Sequence, residues 1–121
     1  MITVNRLDFV SVPSQDADRA AHFYGETLGL RRDSNSQYEF WAGDTCIAIW
    51  EPEKLGRPFA PQQNGHLALQ VDDVAATQAE LEAAGVEFTA PTFDTGVCHM
   101  ALFRDPDGND LMLHHRHTPV G

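Results

Sequence analysis

The sequence predicts an α+β fold built from two tandem βαβββ modules. Short segments alternate apolar and polar residues, each half carries one helical pattern after its first strand, and the order of elements repeats. The spacing of the repeat agrees between the halves to within about one residue. One module alone leaves a face of its four-stranded sheet uncovered. We therefore expect two sheets side by side, each backed by its helix, in a curved half-barrel whose open face is a cleft.

The first module is predicted at residues 1–51. An alternating segment at 4–12 indicates a strand, and Ser14 or Asp16 can cap the helix that we expect near 16–28. The buried stripe of this helix is predicted at Ala20, Phe23, Tyr24 and Leu28, and its end at Gly29. Three strands should follow, at 31–36, 38–42 and 45–51, with a hairpin turn at Ala42-Gly43-Asp44.

Residues 52–64 hold three prolines and no periodicity, which predicts a linker. The second module, 65–121, should begin with a strand at 66–71, followed by a helix near 73–84. Its predicted buried stripe is Val74, Thr77, Leu81 and Ala84. Three strands are expected near 86–93, 97–104 and 110–115. Between the last two, the run Asp-Pro-Asp-Gly-Asn at 105–109 predicts a tight hairpin turn, because Gly108 or Asn109 can adopt positive φ.

Composition excludes several classes of function. The formal net charge is −10, and no basic cluster occurs, so nucleic acid is not an expected partner. No segment approaches the ~20 apolar residues of a membrane span. The first residues lack the apolar core of a signal peptide, which favours a cytoplasmic protein. Cys46 and Cys98 stand in no redox or zinc motif, and we expect both to be buried free thiols.

Three segments in this order resemble the vicinal oxygen chelate superfamily. They are Phe23-Tyr24-Gly25-Glu26-Thr27-Leu28-Gly29-Leu30, Gly65-His66-Leu67-Ala68-Leu69-Gln70-Val71, and the run from Phe103 to Leu113 that contains the hairpin turn. That superfamily includes glyoxalase I, bleomycin-resistance proteins and extradiol dioxygenases. The resemblance implies the half-barrel fold, function in the cleft and a homodimer, with the segment 52–64 near the interface or the cleft mouth.

The resemblance also implies where a metal ion would be held. In the glyoxalase I pattern, four ligands come from the first and fourth strands of each half. The matching positions here are Phe9, Ala48, His66 and Met112. Only His66 can ligate a hard divalent ion, because the other three side chains offer no suitable donor. We therefore expect no metal and no other cofactor in the cleft.

One alternative metal arrangement remains open. His114 lies two residues beyond Met112 and so shares its side of the strand, and a slipped or bulged strand could bring it to His66. Glu51, at the rim, alternates oppositely to Ala48 along the strand, so its side chain is expected on the other side of the sheet. His115 and His117 fall in a short tail and are expected to be solvated.

The predicted cleft surface is largely apolar, with a few polar groups, as small-molecule pockets are. The candidate ligand-binding residues are Phe9, Ser11, Ala48, Trp50, His66, Gln70, Met100, Leu102, Met112 and His114. The same alternation also places Leu7, Ala68 and Cys98 on the predicted cleft side. These side chains could also simply fill a core. Trp50 is the main argument for binding, since an indole there can stack on a flat ligand, whereas Trp41 is expected in the core.

Two functional hypotheses follow from the sequence. The first is a metal-free protein, similar to the bleomycin-resistance branch, that binds a small aromatic or amphipathic molecule. The second is a lyase or isomerase like glyoxalase I, with an atypical metal site or with His66 as a metal-free general acid or base. Against the second, His66 could be a retained histidine with no catalytic partner, because no second acid–base group is apparent on the cleft side.

Overall fold

The computed structural model describes all residues from 1 to 121 and divides into two compact units, Met1–Ala60 and Pro61–Gly121. Each unit carries one four-stranded sheet and one α-helix. The predicted α+β class with two βαβββ modules is confirmed. No helix in the protein has the length and apolarity that crossing a bilayer would require.

The first unit contains strands β1 (Phe9–Pro13), β2 (Arg31–Arg32), β3 (Glu39–Ala42) and β4 (Thr45–Trp50), with helix α1 at Ala17–His22. The order across the sheet is β1-β4-β3-β2, and β1 runs parallel to β4. A short 3₁₀ turn, Pro52–Leu55, follows inside the segment interpreted as a linker. The predicted turn between β3 and β4 is present.

Helix α1 begins at its Asp16 cap, whose carboxylate accepts the amide hydrogen of Arg19 at 3.1 Å. It continues into a wider π-helical turn, Phe23–Thr27. Gly25 in that turn lies against the Phe40 ring of the sheet, and a Cβ there would stand 2.9 Å from ring atom Cε1. Glycine is thus what allows the helix backbone to approach the sheet so closely.

The second unit repeats this plan with strands β5 (Leu67–Gln70), β6 (Phe93–Asp94), β7 (Cys98–Arg104) and β8 (Asp110–Arg116), and with helix α2 at Val74–Ala83. The sheet order is β5-β8-β7-β6, and β5 runs parallel to β8. Identical strand orders confirm the internal repeat. From Pro61 onward, the segment predicted as linker belongs to this unit.

Three predicted strands are shorter than expected. The strand at 31–36 is reduced to β2, because the chain turns at residues 34–35 and 37–38. The strand at 4–12 begins only at Phe9, because its partner β4 begins after the hairpin turn and the first aligned pair is Phe9 with Cys46. The strand at 86–93 is reduced to β6 and a single bridge from Phe88 to Phe103. Pro91 lacks an amide hydrogen, which interrupts the pairing there.

The core of helix α2 also differs from the predicted stripe. Val74 and Leu81 are buried as expected, but the third buried residue is Gln78 rather than Thr77 or Ala84. The Gln78 amide donates to the carbonyl of Ala90 and accepts the Thr92 hydroxyl, at 3.0 and 2.7 Å. The Gln78 side chain thereby holds the segment 86–93, which lacks most of its expected strand pairing.

Alternation along the strands is as predicted. Ile47, Ile49, Leu111 and Leu113 are all buried on the sides that pack against the helices. The intervening residues lie on the opposite side of each sheet, which we call its open face. Cys46 and Cys98 are free and buried, which confirms that prediction.

Candidate functional site

The open face of the first sheet carries most of the predicted binding residues of that unit. The register aligns Phe9 with Cys46, Ser11 with Ala48, and Pro13 with Trp50. Phe9 is 55% exposed, although it is a large apolar side chain on a strand. Ala48 and Trp50 are half-buried. This face therefore combines aromatic and apolar side chains with two charged ones, Glu39 beside Ala48 and Arg31 beside Trp41.

Trp41 is a further member of this face, and its expected place in the core is wrong. It pairs with Cys46 across the antiparallel β3–β4 ladder, so it shares the alternation of Ala48. Its indole Nε1 donates to Asp33 at 3.0 Å, and the Arg31 guanidinium lies 5.7 Å from the ring centroid. The indole hydrogen bond is the principal reason that the pKa of Asp33 is lowered. Pairing residues outward from the hairpin turn aligns Trp41 with Cys46, and this pairing would have predicted the face of Trp41 correctly.

The open face of the second sheet carries the other predicted residues. Along β5 and β8, Ala68 aligns with Met112 and Gln70 with His114. Across β7, Leu102 pairs with Met112 and Met100 with His114. Their side chains are exposed or half-buried, so they do not form a closed core within this unit.

A polar cluster occupies one end of this second face. His66, just before β5, places its Nε2 3.8 Å from Oδ2 of Asp110, the first residue of β8. Oδ1 of Asp110 accepts from Nε of Arg104 at 2.9 Å, and Oδ2 accepts from the backbone of Asn64 at 2.7 Å. These bonds, first of all the one from Asn64, hold the pKa of Asp110 below its usual value, although burial opposes the shift. An acidic partner for His66, which the sequence did not indicate, is therefore present.

The hairpin turn at 105–109 does more than connect β7 to β8. Gly108 has φ of 90°, as the turn prediction required. The buried Asn109 side chain donates to Asp105 at 2.8 Å and accepts the backbone N–H of Gln62 at 2.7 Å. The turn thereby fixes the segment that leads directly to His66.

The residues at the four expected ligand positions do not fit a metal ion. Phe9 and Ala48 lie on the first open face and Met112 on the second, so their alternation is as predicted. A phenyl ring and a methyl group offer no lone pair, and a thioether is a poor ligand for a hard divalent ion. His66 alone retains a ligand atom of the expected kind.

The alternative pair of His66 and His114 has little geometric support. Strand register places His114 beside Gln70, whereas His66 lies at the other end of β5, beside Asp110. Four residues along a strand amount to about 13 Å. Two imidazoles standing upright on the sheet do not share an ion across that distance.

The two tail histidines are not simply solvated. His115 belongs to β8, and its Nδ1 lies 3.0 Å from the carbonyl oxygen of Val71. His117 follows the strand and places its Nε2 2.9 Å from a carboxylate oxygen of Asp94. The expectation of a solvated side chain is therefore wrong for His115, which is half-buried within β8, whereas His117 is exposed as expected but has an acidic partner.

A model of the Glyoxalase/Bleomycin resistance protein/Dioxygenase superfamily matches residues 6–113. The chain belongs to this superfamily. A "Probable lactoylglutathione lyase" of Vibrio parahaemolyticus serotype O3:K6 is 32% identical in an alignment 117 residues long that covers 81% of this chain and 81% of the relative. TnmS3, an antibiotic binding protein from Streptomyces sp. CB03234, is 28% identical with a TM-score of 0.75, covering 96% of this chain and 99% of TnmS3. A superfamily member from Sphaerobacter thermophilus shares the fold at a TM-score of 0.77 and 24% identity, with 92% and 97% of the two chains covered.

Within the glyoxalase superfamily, this chain is therefore similar both to a protein named for a lyase reaction and to one named for antibiotic binding. Membership accounts for the two modules and for the hairpin motif. It does not choose between catalysis and binding, so that choice depends on the side chains of the two open faces.

Proposed function

We propose that this chain binds a small aromatic or amphipathic molecule on the open faces of its sheets, without a metal ion. The observation that carries the proposal is the set of side chains at the expected ligand positions: Phe9, Ala48 and Met112 in place of metal-binding groups. These side chains cannot coordinate a hard divalent ion, but they offer apolar contact surface, which suits the recognition of a small organic molecule. The likeness to TnmS3, an antibiotic binding protein, supports the same reading.

Trp50 is proposed as the stacking residue for this ligand. It shares the open face with Ala48 and is half-buried, which leaves part of its indole surface for contact. The further binding residues of the proposal are Ser11, His66, Gln70, Met100, Leu102 and His114. The polar members would orient the ligand, and the apolar ones would supply most of the buried area.

A fluorescence titration with the neutral aromatic dye Nile red tests the proposal. We expect saturable binding, and we expect Trp50→Ala to weaken it about threefold to tenfold, the value of a lost aromatic contact. Val120→Ala is the control, because Val120 is an exposed apolar residue outside both sheets. Equal affinities of the two variants would contradict a binding role for Trp50, and an absence of saturable binding would contradict the proposed function.

A second candidate is favoured by one specific observation, the contact between His66 and Asp110. A histidine beside a carboxylate can serve as a general acid or base without metal, and the Vibrio relative is named for lyase activity. The assay is formation of lactoylglutathione in the presence of a chelator, with His66→Asn as the matched variant. We expect no activity in either protein. Activity that persists with chelator and disappears in His66→Asn would replace the binding proposal with this one.

We further propose a cytoplasmic homodimer. Exposed apolar side chains such as Leu7 and Phe9 support an additional partner surface, and the segment 52–64 is proposed to lie near the interface or the cleft mouth. Light scattering at micromolar concentration should give twice the monomer mass of 13.4 kDa. A monomer mass at that concentration would refute the dimer, and cell fractionation tests the location.

A further inference from the structure

Three side chains that the proposed function does not use converge at the edge of the second sheet. Asp94 lies on the edge strand β6, His99 pairs with it across the β6–β7 ladder, and His117 follows β8. The backbone N–H of His117 donates to the carbonyl of Val97 at 3.0 Å, which fixes this residue beside the β6–β7 turn. Two strands and the segment after a third thus contribute to one cluster.

The cluster lies on the side of the sheet away from the open face. Along β7, the alternation of His99 is that of Ala101 and Phe103, both buried on the helix side, and opposite to that of Met100. The cluster is therefore separate from the surface proposed for the small molecule. Its side chains remain reachable, with exposed fractions of 51%, 45% and 33% for Asp94, His99 and His117.

The potential ligand atoms already face one another. The Asp94 carboxylate lies 2.9 Å from Nε2 of His117 and 3.4 Å from Nε2 of His99. When one ligand atom is taken from each of the three residues, these three atoms lie within 4.8 Å of one another. In a tetrahedral site with bonds of about 2.0–2.1 Å, ligand atoms stand roughly 3.3 Å apart. Small rotations of half-exposed side chains are enough to reach that spacing.

Neighbouring groups hold two of the three side chains in place. The backbone N–H of Gly96 donates to Oδ1 of Asp94 at 2.7 Å. The Thr118 hydroxyl lies 3.4 Å from Nδ1 of His117, the ring nitrogen that a metal at Nε2 would leave free. Such outer contacts orient metal-binding side chains in known sites.

We propose that Asp94, His99 and His117 form a binding site for a divalent transition-metal ion, with Zn²⁺ as the reference ion. Two imidazole nitrogens and one carboxylate oxygen are donors that Zn²⁺, Ni²⁺ and Cu²⁺ accept, whereas Mg²⁺ and Ca²⁺ prefer oxygen alone. Three protein ligands leave at least one position for water. The formal charge of −10 favours approach of a cation. The bound ion would tie the edge strand to the segment after β8.

Isothermal titration of the chelator-stripped full-length chain with ZnCl₂ tests the site. We expect one ion per chain, and a loss of affinity of at least about tenfold in Asp94→Asn and in His117→Gln. His22→Gln, on helix α1 of the first unit, is the matched control, because His22 is exposed and lies outside both proposed sites, and it should bind as the wild type does. Circular dichroism on each variant checks that it is folded.

Nitrogen chemical shifts of the imidazoles give a second readout, which does not depend on the variants. Zn²⁺ should move the resonances of His99 and His117 and leave those of His66 and His114 in place. No binding, or binding that neither cluster substitution weakens, would overturn the site. Binding that His66→Gln abolishes while the cluster variants retain it would overturn the metal-free proposal as well, so the two failures are distinguishable.

Discussion

The hairpin at 105–109 provides the sharpest test of how the second unit is held together. Asn109 is 1% exposed. Its side chain donates to the Asp105 carboxylate at 2.8 Å and accepts the backbone N–H of Gln62 at 2.7 Å. Replacing Asn109 by alanine removes both bonds, so the Asp105 carboxylate and the part-buried backbone N–H of Gln62 each lose one hydrogen bond. At about 1–3 kcal/mol for each group, the free energy of unfolding should fall by roughly 2–6 kcal/mol.

Urea unfolding followed by circular dichroism measures this loss. Asn35→Ala is the matched control, because Asn35 is exposed and only its backbone N–H makes a hydrogen bond, to Asp33. It should change the free energy of unfolding by less than about 0.5 kcal/mol. An Asn109→Ala variant as stable as the Asn35→Ala variant would refute the argument that the turn anchors the segment before His66.

Two further predictions concern titration and packing. The pKa of Asp110 is lowered in the folded state by the Asn64 and Arg104 contacts, so its stabilisation is present above the ordinary carboxyl pKa of about 3.9 and is lost as the pH falls below it. The difference in urea midpoint between wild type and Asp110→Asn should therefore shrink between about pH 6 and about pH 3, and a constant difference would contradict this. Gly25→Ala should lower stability by about 1–3 kcal/mol in thermal unfolding, because its Cβ meets the Phe40 ring at 2.9 Å; a more stable variant would show that the ring moves freely.

Much of the fold follows from periodicity in the sequence. Alternating residues identified the helix-packed sides of β4 and β8, since burying Ile47, Ile49, Leu111 and Leu113 dominates the choice of face. The same alternation placed Phe9, Ala48 and Met112 on the open faces. Caps and turns were predictable as well, because Asp16 and Gly108 perform functions that few residue types can.

The parts that could not be predicted depend on side chains that bond across long sequence separations. Gln78 satisfies the backbone of an interrupted strand, and Asp110 meets both Asn64 and His66. Neither role leaves a periodic signature, because a polar residue on a helix or at a strand end looks like a solvated one. The position of His117 escaped prediction for a related reason, since its partner Asp94 lies 23 residues earlier.

The bonds between Asn64 and the hairpin also have a consequence for how the protein forms during synthesis. Asp110 leaves the ribosome 46 residues after Asn64, which it must bond to complete the surroundings of His66. At about 5–20 residues per second, several seconds pass in which that histidine has emerged without its carboxylate neighbour. The first unit can fold during this interval, while the His66 environment is completed only after the hairpin following β7 is made.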